Sequence, residues 1–223
     1  DGVDFPPTLT EKASYTVELP KGLVDASGRA PANAGQFPLK VATGLMPPLV
    51  KFAAAPFGVV ERLAEPGGTA LLPITVRNVE PGLKALVLAV SGSKVSDLRL
   101  SSDADIIAWY QRVATFHGGT VERKLAAQWA KTPLPKVIDK DNQDWVESRM
   151  LGLLQGLPGV KPLDLPQAAA GDPRPMEVVG IPLPPGFHVV EIASPRLGRS
   201  LLDERHGEGR TMYVRSSALV TNL

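Results

Sequence analysis

The chain has 223 residues, enough for one large or two small domains, and 43% of them are hydrophobic, so a sizeable core is possible. Charged residues make up 21% and the formal net charge is +1, which argues against a dedicated nucleic-acid binder with a strongly basic face. Cysteine is absent, which excludes disulfides, thiolate metal sites and cysteine nucleophiles within these residues. The opening "DGVDFPPTL" has neither a basic nor an apolar leader region and reads as mature sequence or a piece of something longer. No apolar run approaches the roughly 18–20 residues of a membrane helix. The 22 prolines and 21 glycines punctuate short alternating runs, a pattern that favours an all-β architecture over a helical bundle.

In chain order, residues 13–19 alternate Tyr15, Val17 and Leu19 against Ser14, Thr16 and Glu18, the period-two signature of a half-buried strand. Turn chemistry at Lys21–Gly22 and Ser27–Gly28 leads to a second strand over 36–43, with Phe37, Leu39 and Val41 expected inward. Two strands do not make an independent sandwich, so residues 1–46 read as half of an immunoglobulin-like domain. Pro47 and Pro48 mark a boundary, and residues 47–223 form the second domain. Strands are predicted over 49–54, 57–63, 70–78 and 83–90. The last is nearly all apolar and is expected between two covered faces.

The period then changes. Helical spacing predicts a helix over 102–116, capped by Ser102 or Asp103 and ended by Gly118–Gly119. A second helix is predicted over 121–131 and a third over 142–157, with Trp145, Met150 and Leu153 or Leu154 on one side. A loop over 161–175 precedes strands over 176–183, 186–193 and 210–223. The fold class is therefore mainly β, the second domain carrying a helical insertion at about 102–157.

Candidate chemistry is sparse. His117, His188 and His206 have no His partner at ligand spacing. His117 sits at a helix end, His188 is expected on the surface and His206 in a charged loop. Ser200, Asp203 and His206 fall in one short stretch, but no Gly-x-Ser-x-Gly elbow surrounds Ser200, and hairpin-loop polar residues are the plainer reading. Asp139, Asp141 and Asp144 look like a calcium loop without the turn glycine or the distal Glu, and helix capping by Asp141 or Asn142 fits better. Neither Gly-Gly-Thr cradles phosphate by the known spacings. Trp109, Trp129 and Trp145 are expected to pack helices onto a sheet. No catalytic, cofactor-binding or metal-binding residue is assigned, and no cofactor.

Residues 183–223 carry a resemblance. Pro185, Gly186, Phe187, Val189, Val190 and Glu191, then Leu197–Gly198, then Tyr213–Val214 and Ala218–Leu223, look like a macroglobulin-type β-sandwich of bacterial α2-macroglobulins: a PG-aromatic strand, a Leu-Gly hairpin and a "YV…ALVTNL" strand. Residues 15–44 are similar to the end of an immunoglobulin-like domain of the same family. Together the two stretches cover about a third of the chain. The resemblance implies a periplasmic, inner-membrane-anchored protease trap. It implies partners in the other macroglobulin domains of the same protein, in target proteases engaged by the whole protein, and in other cell-envelope proteins. The family thioester needs a cysteine that this chain lacks, so the implied role is a scaffold without an enzymatic site. Two alternatives stay open: a periplasmic or surface module binding carbohydrate, peptidoglycan or protein, or a hydrolase using the Asp203–His206 stretch.

Overall fold

The computed structural model describes residues 5, 9–62, 68–79, 84–89, 99–136, 143–164, 177–206 and 210–222. The protein is mainly β, with several sheets. Its chain separates into two compact units, Asp1–Met46 and Pro47–Leu223.

In the first unit, β1 (Ser14–Val17) pairs antiparallel with β2 (Leu39–Ala42). The register sets Tyr15 opposite Val41 and Val17 opposite Leu39, so four apolar side chains share one face. Tyr15 and Val17 are half-buried, but Leu39 and Val41 are exposed rather than inward. A two-stranded sheet has one layer, and no described residue of this unit is buried. Thr43 ties the two ends together: its Oγ1 donates to the Thr10 carbonyl and accepts from the Ala13 amide.

The second unit contains three sheets. β3 (Leu49–Phe52), β5 (Ala70–Arg77) and β10 (Glu177–Leu183) form an antiparallel sheet in the order β10-β5-β3. A five-stranded sheet runs β4-β12-β11-β6-β9. Its members are β4 (Phe57–Arg62), β12 (Met212–Asn222), β11 (Gly186–Ser194), β6 (Lys84–Ala89) and β9 (Val160–Asp164). Only β4 and β12 pair in parallel. One hydrophobic core joins the two sheets: Phe52, Leu72, Ile74, Ile181 and Leu183 from the first meet Val190, Ile192, Ala218 and Val220 from the second. A third sheet is the short pair β7 (Thr120–Glu122) and β8 (Trp145–Glu147).

Between β6 and β9 in the chain lie the helices α1 (Arg99–Thr115) and α2 (Arg123–Trp129). Helix α1 begins before Ser102 and Asp103, so those residues lie inside it rather than capping it. The helix expected over 121–131 shrinks to seven residues, because 120–122 pairs with β8. No α-helix forms over 145–157. That segment is β8, a 3₁₀ turn at Ser148–Met150 and an irregular stretch in which Leu151, Leu153 and Leu154 are wholly buried. Its apolar spacing mimics a helix, but the amides of Ser148, Gly152, Leu153 and Leu154 bond to Gly119, Thr132 and Glu191, and these distant partners override local propensity. Residues 160–164, expected within a loop, are the edge strand β9.

The Leu197–Gly198 "hairpin" and the charged loop to His206 are instead one helix, α3 (Pro195–His206). Ser194 Oγ accepts the Leu197 amide at 3.1 Å, an N-cap bond, and Pro195 fills the first helical position, where a missing N–H costs nothing. Gly198 lets α3 lie against the incoming strand: a Cβ there would fall on the Arg210 carbonyl.

Candidate functional site

The most charged feature of the interior sits on β11 and β12. Glu191 and Arg215 are register partners, and their side chains pair at 2.7 Å with each only 1% exposed. The Glu191 carboxylate is fully used. Its Oε2 accepts from the Leu153 amide at 2.8 Å as well as from Arg215 Nε, and its Oε1 accepts from the Leu154 amide at 3.1 Å. Arg215 also donates from Nη1 to the Phe116 carbonyl and from Nη2 to the carbonyls of Ser148 and Leu151. Burial pulls the Arg215 guanidinium below its ordinary range, and the adjacent Glu191 charge pulls it back. The pair is thus a clamp. It satisfies the orphan backbone groups of the irregular 148–154 segment and holds that segment against the five-stranded sheet. Each side chain of the pair is 1% exposed.

Beside the clamp lies a cavity of about 340 Å³, lined by Thr132, Pro133, Met150, Gln155, Arg210 and Tyr213 among others. The size suits a small ligand. The Tyr213 phenol is pushed up by burial and by the Glu191 charge, and a hydrogen bond with Thr132 works the other way. The Thr132 hydroxyl also accepts the Gly152 amide at 2.9 Å. Among these lining groups there is no nucleophile held by a base.

On the helices, Arg112 stacks on two indoles, its guanidinium carbon 4.1 Å from the Trp109 ring centre and 3.7 Å from that of Trp129. Trp145, expected on a helix with them, is instead on β8 and 47% exposed.

Ser200, Asp203 and His206 share helix α3, with Ser200 exposed. The side chains of Asp203 and His206, and Asp139 and Asp141 altogether, lie outside the described residues. So does Asn142, the other candidate helix cap. The Asp144 carbonyl accepts the Arg123 amide at 2.7 Å. His117 is exposed just past α1. His188, expected on the surface, is 2% exposed. It lies on β11, which is flanked by β12 and β6 and is no edge strand. Its ring nitrogen Nε2 meets the Pro184 carbonyl at 2.8 Å, an arrangement that makes Nε2 the donor, while buried Nδ1 has no partner. Desolvation lowers its pKa, opposed by the Pro184 bond. Among the described residues no cluster of three His, Cys, Asp or Glu is placed to hold a metal, and no helix is long and apolar enough to cross a membrane.

Glu191 and Arg215 escaped the sequence reading as a pair. Their signal was two opposite charges, each set in the middle of an apolar strand ("VVEIA" and "YVRSSA"), where an unpaired charge would be too costly to bury.

The class of protein these features define is a mainly β protein of several sheets whose buried charges serve its architecture. Comparison with family models, curated proteins and solved structures gives no match.

Proposed function

We propose that the chain is a structural and interaction module of a bacterial α2-macroglobulin-like protease inhibitor. In this reading residues 1–46 belong to an immunoglobulin-like domain. Residues 47–223 form a macroglobulin-type β-sandwich, with the helical segment between β6 and β9 as its insertion. The module positions the trap's bait and reactive elements, and works in the periplasm as part of a membrane-anchored protein. The resemblance of 183–223 to the family's strand pattern points to the family. One structural observation supports the scaffold role: the strongest acid–base pair, Glu191 and Arg215, is 1% exposed on each side and spent on backbone groups.

Two experiments test the reading. The full-length protein that contains this chain is incubated with a panel of proteases, and complexes are sought by native gel; trapping is expected, and its absence across the panel counts against the assignment. In the chain itself, Asp203→Ala and His206→Ala are assayed against ester, peptide and glycoside substrates. Any hydrolysis above background that these substitutions remove would replace the scaffold reading with the hydrolase one.

A further inference from the structure

Arg112 is an arginine prepared for a partner it does not have within the described chain. It stands near the C-terminal end of α1, and Trp129 closes α2. Its guanidinium carbon lies over both indoles, 4.1 Å from the ring centre of Trp109 and 3.7 Å from that of Trp129. Stacking of a guanidinium on an indole is attractive in itself. It also takes water from the stacked part of the guanidinium and leaves its N–H groups for hydrogen bonding. Of these, Nε is buried without a partner, whereas neither Nη is both buried and unpartnered. Desolvation lowers its pKa to about 10. An N–H that gives up hydration and gains no acceptor is unusual, since an acceptor normally accompanies such a loss.

The surroundings select the missing acceptor's charge. Helix α2 contributes Arg123 and Lys124 and no acid, and Lys131 follows Trp129 by two residues. Asp105 lies seven residues before Arg112, about 10 Å away along the helix axis, and makes no ion pair with it. A guanidinium locked in a plane offers a fork that matches a carboxylate through two parallel hydrogen bonds. The indole walls add apolar contact for the methylenes of an acidic side chain.

We propose that Trp109, Arg112 and Trp129 form a recognition site for an acidic side chain, Asp or Glu, presented by a peptide segment of a partner protein. This goes beyond the scaffold reading and does not depend on it, because the site is read from the helices alone. The test is a fluorescence titration of the full chain carrying Trp145→Phe, so that emission reports only Trp109 and Trp129. The probe is a terminally blocked hexaglutamate peptide, with a hexalysine peptide and inorganic phosphate as controls. Saturable quenching by hexaglutamate alone is expected. Arg112→Lys, which keeps the charge and loses the fork, weakens it about tenfold or more, and Arg112→Gln abolishes it. Near-ultraviolet circular dichroism checks that each variant is folded; if Arg112→Gln is not, the comparison with Arg112→Lys decides. No saturation at millimolar hexaglutamate overturns the proposal. So does equal affinity in Arg112→Lys, or phosphate saturating at the same concentration.

Discussion

Replacing Glu191 by Gln keeps the shape of the clamp and removes its negative charge. Arg215, 1% exposed, then holds a positive charge in the interior with no counterion among the described residues facing it. Breaking a buried pair by removing one partner costs about 3–5 kcal/mol, most of it from the stranded charge. The carboxamide also has one acceptor oxygen where the carboxylate had two, so the Leu153 and Leu154 amides and Arg215 Nε compete for it. The midpoint of thermal unfolding of the second unit should fall by about 6–20 °C at 2–4 °C per kcal/mol for a unit of this size. All three tryptophans lie in that unit, so tryptophan emission through a urea or thermal transition reports it without the first unit. The double variant Glu191→Gln/Arg215→Met removes the stranded charge but still orphans the carbonyls of Phe116 and Leu151. It should therefore not recover wild-type stability, yet should lose about 2 kcal/mol less than the two single losses added together. A Glu191→Gln loss below about 1 kcal/mol, or strict additivity in the cycle, would refute the clamp.

Gly198→Ala places a methyl on the Arg210 backbone, and α3 must move off β12 to relieve it. A loss of about 1–3 kcal/mol or more is expected in urea unfolding, while Gly118→Ala, with open space around the new Cβ, stays within about 0.5 kcal/mol. Leu153→Ala removes a wholly buried side chain next to the clamp and should cost about 2–5 kcal/mol, read from the same transition. His188 has a folded pKa below its unfolded value of about 6.5, so the unfolded state takes up the proton first. Its contribution is intact above pH 6.5 and is lost as pH falls through that value towards the folded pKa. Unfolding midpoints measured from pH 7.5 to 5 should fall more steeply for the wild type than for His188→Gln; parallel slopes would exclude His188 as the source.

The alternation of Tyr15, Val17 and Leu19, and the apolar runs of 70–78, 176–183 and 186–193, made strands legible because a pleated chain sorts side chains at period two. Helix α1 was legible for the matching reason, its apolar residues falling at a period near 3.6. The start of α3 is also written locally, in Ser194 followed by Pro195, although Leu197–Gly198 by itself reads as a hairpin. Local pattern failed at 142–157, where helical spacing belongs to a segment anchored by bonds to residues far along the chain.

By itself, then, the sequence determined the mainly β class, most strand positions and the absence of cysteine chemistry, because those follow from side-chain period and residue inventory. Only the tertiary structure decided that His188 is buried, that Glu191 faces Arg215, that Leu151 to Leu154 hang on that pair, and that Arg112 stacks on Trp109 and Trp129. Each of these depends on which strands become neighbours and which helices pack together, and therefore on contacts between residues up to about a hundred positions apart, as from Arg215 to the Phe116 carbonyl, that no local window contains.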